Sequence, residues 1–327
     1  MSKTTRRGLL TGAAAAAGTL AAPGILRAQS YPDGKTIKLV VPFAAGGTTD
    51  LTGRILADRW AKMWNTTIVV ENVPGAQGNV GLDRVAKSAP DGLNIVMCTP
   101  AVVTNPFLYP KLAFDPEKDL QYISQTVSIP NLLVVRNTLP VKSVSELIAY
   151  AKANGGKLNY GSPGVGSTGH LSAEIFKRAV GIEMAHVPYR GSAPALNDLV
   201  AGAVDLIFEN IPACINLVRG GQIRGIAVTS PKVHPLASDF PTVAETVPGF
   251  DVAAFFGVAV RAGTPEAIAK RIEEAAMAVP REPEVKAKLA EFSAEAIGSS
   301  SAEFNAFLAS ERPRWGKIIR DLGIKME

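Results

Sequence analysis

From residue 31 onward the chain alternates short β-branched apolar runs with amphipathic segments of helical length. That alternation restricts it to a mainly parallel sheet covered by helices on both faces. Ile37-Lys38-Leu39-Val40-Val41 reads as a strand that stops at Pro42, and a glycine-rich turn leads into a helix over 49–64. Ile68-Val69-Val70 is the next strand. The turn Pro74-Gly75-Ala76-Gln77-Gly78 opens a helix running through Ala86, and a third strand spans 94–98. A second series starts at Leu132-Leu133-Val134-Val135 and continues with a helix over 144–153, where Ser143 and Glu146 have capping-box spacing. Strands over 158–161, 184–187, 204–208 and 223–229 then alternate with helices over 167–180 and 193–201 and a short one near Cys214. After Pro248-Gly249, one strand over 255–260 precedes helices at 265–279, 282–292 and 302–322, too little strand for an independent domain. The C-terminal block is therefore expected to complete the first domain. Domain 1 becomes residues 31–130 plus 252–327 and domain 2 residues 131–251, with a ligand-sized cleft between two hinged α/β lobes. A length of 327 residues suits about two domains.

Two strand-to-helix junctions carry distinctive chemistry. In Pro42-Phe43-Ala44-Ala45-Gly46-Gly47-Thr48-Thr49-Asp50, paired glycines expose backbone N–H groups beside two hydroxyls at a helix start. Helix N-termini offer unpaired donors and partial positive charge, so this turn is a candidate carboxylate or phosphate cradle. It also fits a plain turn in which Thr48 or Thr49 caps the helix. The second junction, Gly161-Ser162-Pro163-Gly164-Val165-Gly166-Ser167-Thr168-Gly169-His170-Leu171, repeats the arrangement, one copy per expected lobe. Neither contains Lys or Arg. An anion would then be held by backbone amides near Gly47 and Gly166 and by the hydroxyls of Thr48, Thr49, Ser167 and Thr168. Asp50 would repel an anion and is expected to order the helix start or a bridging water; an arginine clamp through Arg190 is the alternative. Two such cradles facing across a cleft could grip both ends of a small diacid, or one carboxylate and a polar tail.

Other chemistries fit poorly. Gly164-Val165-Gly166-Ser167-Thr168-Gly169 matches a dinucleotide fingerprint, but the strand that follows lacks the closing acidic residue: Glu183 opens it and Pro188-Tyr189-Arg190 ends it. The first turn lacks the Gly-Lys-Ser/Thr of a nucleotide P-loop. Ser167 lacks the preceding glycine of a nucleophile elbow, and no third partner accompanies His170. His170, His186 and His234 show no metal-ligand spacing, and Cys98 and Cys214, each in an apolar neighbourhood, are expected to be separate buried thiols. The expectation is a binding protein with no cofactor and no metal, not an enzyme.

The formal charge of +5 is misleading, because Lys3, Arg6, Arg7 and Arg27 fall in the first 28 residues, which contain no acid. The remaining chain has 30 basic against 29 acidic residues, so nothing points to nucleic acid. Residues 1–28 read as an export signal: Arg6-Arg7 precedes an Ala-rich apolar stretch ending near Ala22, too short to span a bilayer, and Leu26-Arg27-Ala28 marks the cleavage point. The paired arginines suggest twin-arginine export to the periplasm.

A series of segments, taken in order, resembles the extracytoplasmic solute receptors of tripartite tricarboxylate transporters, the Bug or TctC-like family. They are Val41-Pro42-Phe43 through Asp50, Val70-Glu71-Asn72-Val73-Pro74-Gly75, Ala86-Lys87-Ser88-Ala89-Pro90-Asp91-Gly92, and Asn105-Pro106-Phe107-Leu108-Tyr109. Val187-Pro188-Tyr189-Arg190-Gly191-Ser192-Ala193-Pro194-Ala195 and Gly202-Ala203-Val204-Asp205-Leu206 complete the series. The resemblance covers essentially all of residues 31–327. It implies a two-lobed type II periplasmic binding protein fold, each lobe a mainly parallel sheet flanked by helices. It also implies a receptor that binds a small organic carboxylate and delivers it to membrane transporter subunits; a periplasmic carboxylate sensor is the alternative, and a monomer is expected. Carried onto this sequence, the ligand-binding set is Phe43, Gly46, Gly47, Thr48, Thr49 and Asp50 in the first loop. Ser162, Gly164, Gly166, Ser167, Thr168 and His170 form the second, with Ala101, Asp205 and Glu209 elsewhere. Ala44-Ala45 replaces prolines common in the family, Gln77 a usual glycine, and Glu209-Asn210 a common Asp-Asn pair.

Overall fold

The computed structural model describes residues 31–326, so the export segment over 1–28 lies outside the described residues. The first series runs β1 (Ile37–Val41), α1 (Thr48–Trp64), β2 (Ile68–Asn72), α2 (Asn79–Ala86), β3 (Asn94–Cys98) and α3 (Ala101–Leu108). A long strand, β4 (Leu120–Arg136), leads into α4 (Val144–Ala153), β5 (Asn159–Ser162), α5 (Thr168–Val180), β6 (Ala185–Pro188) and α6 (Ser192–Ala201). Next come β7 (Leu206–Asn210), α7 (Ile211–Arg219), β8 (Ile223–Val228) and β9 (Ala253–Arg261). The chain ends with α8 (Glu266–Ala278), α9 (Pro283–Glu291), a two-residue β10 (Glu295–Ala296) and α10 (Ser301–Leu322).

The strands follow the order β2-β1-β3-β9-β4-β7-β5-β6, with β8 and β10 as further partners of β4. β1 lies parallel to β2 and β3, and β5 lies parallel to β6 and β7. These two parallel sets are joined through the antiparallel strands β9 and β4. Residues 120–130 of β4 pair with β9, whereas residues 131–136 pair with β7 and β8. The result is a curled mixed sheet with helices on both faces and two lobes, the type II architecture that the resemblance implies.

Sequence patterning finds only residues 132–135 of β4, because Gln121, Ser124, Gln125, Thr126 and Ser128 make its first half look like a loop. Ser124, Gln125 and Thr126 are nevertheless buried. Thr126 Oγ1 donates to the Phe256 carbonyl at 3.0 Å, and Ser299 Oγ accepts from Gln125 N–H at 3.0 Å. Pairing their polar groups internally makes the burial tolerable. Helix α3 is likewise missed, since Pro106 lies inside it. At α4, Ser143 Oγ accepts from Glu146 N–H, but the Glu146 carboxylate takes Lys142 N–H, so half the expected capping box forms. Complete boxes occur at Ser300–Glu303 and Thr242–Glu245.

The C-terminal helices pack against the first series. Trp60 of α1 is fully buried and its Nε1 donates to the Ala275 carbonyl of α8 at 3.3 Å. On the other face of the sheet, Phe304 of α10 meets Tyr122 and Phe255 edge to face. Removing a ring so buried costs roughly 3–5 kcal/mol. Where the chain passes between the halves, Asn131 N–H donates to Thr229 Oγ1 at 2.8 Å, and Thr229 Oγ1 donates to the Val252 carbonyl at 2.6 Å. Thr229 thereby ties residues 131 and 252 together at one point. Cys98 and Cys214 are free and buried.

Candidate functional site

Five helices, α1, α3, α5, α6 and α7, begin at the carboxyl end of a strand, and the residues at those starts line one cavity: Gly47 and Thr48, Pro100 and Ala101, Ser167 and Thr168, Gly191 and Ser192, and Asn210. Such crevices outside strand carboxyl ends are where open α/β sheets bind ligands. The cavity holds about 640 Å³ of empty space, open solvent at its mouth included. Each helix start brings the positive end of a dipole, although at α3 the Ala101, Val102 and Val103 N–H groups are already taken by Thr99 and Pro100. None of the lining residues is Lys, Arg or His, and Glu209 is their one ionisable side chain.

Of the sequence-derived set, Phe43, Gly47, Thr48, Thr49, Ala101, Gly166, Ser167, Thr168 and Glu209 line the cavity. Gly46, Asp50, Ser162, Gly164, His170 and Asp205 do not. Gly46 has φ +83°, a left-handed conformation suited to glycine, and its N–H donates to Asp50 Oδ2 at 3.0 Å. Asp50 also accepts from Arg54 Nε and Asn72 Nδ2, each at 3.0 Å. Burial opposes its ionisation, but these hydrogen bonds prevail and hold the carboxyl below its usual range. Asp50 thus closes the first turn from behind.

The second turn is built alike. Gly166 has φ +84°, and its N–H donates to Nδ1 of His170, again four residues on, at 3.1 Å. An accepting Nδ1 requires a neutral ring with its proton on Nε2. Burial, reinforced by the neighbouring His186, pushes the His170 pKa down to about 3. His170 stacks on His186 with centroids 4.3 Å apart, and His186 stacks on Tyr160 at 4.7 Å. Ser162 Oγ lies 2.7 Å from His186 Nε2 and accepts from Gly164 N–H at 3.2 Å, so both residues brace this turn.

Two expectations therefore change. The N–H of Gly166 is taken by His170 and is not the ligand donor; the open N–H groups of that turn belong to Thr168 and Gly169 at the start of α5. The Thr168 hydroxyl donates to Asn131 Oδ1 at 3.3 Å, which removes it as a ligand donor. Ser167 Oγ accepts from His170 N–H as the helix cap and keeps its own proton free. Thr48 Oγ1 is buried and has no partner. Asp205 lies before the start of β7, four residues from Glu209, roughly 13 Å along an extended chain. It pairs with Arg136 Nε at 2.8 Å and accepts Asn159 N–H at 2.7 Å, a structural tie away from the cavity. Arg190 is exposed and does not line the cavity.

Glu209 is 2% exposed at the end of β7. Its Oε1 accepts from Asn210 N–H at 2.9 Å, while Oε2 has no partner in hydrogen-bonding geometry. Burial pushes its carboxyl up to about 7, against smaller opposing pulls from Asn210 N–H and the Ser192 hydroxyl.

Sequence reasoning does not place Gln77, Ser192, Asn210 or Phe256 at the site. Gly191-Ser192 carries a readable signal, since it repeats the strand–glycine–hydroxyl–helix order of the other two turns. Phe256 comes from β9 and carries none.

Fold and cavity together define a two-lobed, type II periplasmic-type binding protein. The chain belongs to the tripartite tricarboxylate transporter receptor family, whose model matches residues 52–324. Among solved structures, Rpa4515 of R. palustris with adipate is 39% identical, covering 89% of this chain and 98% of its own at a TM-score of 0.87. The periplasmic binding protein BugD is 30% identical over 89% of this chain and 99% of its own, TM-score 0.85. MatC of Rhodopseudomonas palustris with bound malate is 30% identical over 87% and 98%, TM-score 0.81. The family is one of receptors, not of enzymes.

Proposed function

We propose that this chain is a periplasmic receptor that closes around a small organic carboxylate and delivers it, as a monomer, to a tripartite tricarboxylate-type membrane transporter after twin-arginine export. The observation that carries the binding reading is the cavity itself. Five helix starts converge on it without a lysine or arginine, and the buried Thr48 hydroxyl inside it lacks a partner. Fixed dipoles in a water-poor site can hold an anion without a formal counter-charge. The adipate and malate bound to two relatives support a carboxylate, and a dicarboxylate in particular. Ligand contacts fall to the N–H groups opening α1 and α5 and to the hydroxyls of Thr48, Thr49 and Ser167.

The lobes comprise residues 31–130 with 252–327, and residues 131–251. The partner exchange of β4 at Pro130 and Asn131 supports that division. Hinge motion at the two crossings would open the cavity.

Calorimetric titration of mono- and dicarboxylates, adipate and malate among them, tests the reading. Attraction at short range should weaken by less than about threefold from low salt to well above physiological ionic strength, where the screening length is under ~8 Å. Arg190→Ala should bind as wild type does. A collapse of affinity in salt, or loss of binding in Arg190→Ala, would replace the neutral cradle with an arginine clamp.

A further inference from the structure

The cavity that receives an anion also contains a buried carboxyl group with no cation to answer it. Glu209 lines the cavity, is 2% exposed, and leaves Oε2 without a partner. Its polar neighbours come from two helices and from its own strand end. From α7 the Cys214 thiol faces it, and burial keeps that thiol protonated. From α6 the Ser192 hydroxyl approaches it, and from its own strand end Asn210 N–H occupies Oε1. Across β4 its register partner is Leu132. None of these neighbours supplies positive charge.

Two carboxylates confined in one water-poor space cannot both stay ionised without cost; one of them retains a proton. The ligand carboxylate meets helix N-termini, which favour its ionised form. Glu209 is desolvated by burial, which outweighs the Asn210 N–H and the Ser192 hydroxyl beside it, and Oε2 is the oxygen left without a hydrogen-bond partner.

Resting on the carboxylate reading above, we infer that Glu209 meets the ligand as a neutral acid, donating the proton on Oε2 to a ligand carboxylate oxygen, so that capture from solution above neutral pH takes up one proton. No bond is made or broken beyond that protonation: solvent supplies the proton, Oε2 carries it, and release of the ligand returns it. The burial that raises the Glu209 carboxyl to about 7 places this exchange in the ordinary range of extracellular pH. Such a device makes the receptor hold its ligand more tightly as the medium acidifies.

The test is titration of adipate, malate and aspartate at pH 6 and pH 8, each in buffers of low and high ionisation enthalpy. Adipate should bind wild type about tenfold more weakly at pH 8 than at pH 6, with close to one proton taken up per ligand at pH 8. Glu209→Gln keeps a donor at that place but cannot titrate; its affinity should not change between the two pH values, and its proton uptake should vanish. Carboxylate binding to wild type that is independent of pH and buffer overturns this inference while leaving the carboxylate reading intact. Failure of any carboxylate to bind at any pH overturns both. Tighter binding of aspartate at pH 8, lost in Glu209→Gln, shows instead an ionised Glu209 holding an ammonium group and also overturns it. A pH dependence that persists in Glu209→Gln moves the proton to another group and overturns it as well. Should Glu209→Gln fail to fold, which thermal unfolding reveals, proton uptake by wild type decides alone.

Discussion

The turns at Gly46 and Gly166 solve one geometric problem with opposite electrostatics. Each needs an acceptor four residues after the left-handed glycine, to hold that glycine's N–H away from the cavity. The first lobe uses an ionised carboxylate braced by Arg54 and Asn72, the second a neutral imidazole stacked on His186. What the turn requires is a lone pair in the right place. The charge behind it is free to differ.

The strongest way to break this comparison is to remove the acceptor from the charged turn. Asp50→Ala strands the Gly46 N–H and takes one acceptor from each of Asn72 and Arg54, which keep the Phe43 carbonyl and Asn72 Oδ1, and should cost about 3 kcal/mol, the upper end for hydrogen bonds to a charged group. Asp50→Asn, which keeps an acceptor, should recover at least half of that in urea unfolding. Equal losses in both variants would show that the ion pair, and not the turn hydrogen bond, holds the first turn.

Acid should separate the turns next. His170 titrates at about 3 when folded against 6.5 ordinarily, so the folded protein binds fewer protons than the unfolded chain. Its contribution is complete above pH 6.5 and is lost as pH falls toward 3, roughly 2 kcal/mol by pH 5. Asp50, shifted below its ordinary 3.8, keeps its contribution down to about pH 4, where its own loss begins. Hydrogen exchange at pH 5 should therefore show loosening at residues 159–188 before residues 41–54. Simultaneous loosening would mean that the two turns share one titration.

The smallest effect distinguishes the hydroxyls. Thr48→Val removes a group with no internal partner, so it should weaken carboxylate binding by about 1.5 kcal/mol, about tenfold, at little cost in stability. Thr168→Val breaks the bond to Asn131 and should cost about 1 kcal/mol of stability with affinity held within about twofold. A reversed pattern would place the ligand against the second lobe alone.

Periodicity and turn chemistry are enough to read most helices and strands and the two glycine turns, because those signals are local. What stays hidden is set by distant partners. Residues 120–130 form strand only because Phe256 and Ser299 satisfy their polar groups. Asp205 reads as a ligand contact until Arg136, 69 residues away, claims it. Read from sequence, Gly166 offers its amide, because nothing there says that a histidine ring one turn later will accept it. Glu209 is marked by family position alone; its meaning comes from the lack of cations around it, which only folding reveals.

Strand β9 lies between β3 and β4 in the sheet, yet it is made more than 150 residues after β3 begins. During synthesis β4 to β8 emerge as one uninterrupted stretch, whereas β1 to β3 stay unjoined to β4 until residues 253–261 leave the ribosome. Closing so long a loop is slow, and meanwhile the buried edge of β4 stands open to pairing with another chain. A chain cut short before β9 would thus carry an adhesive strand edge.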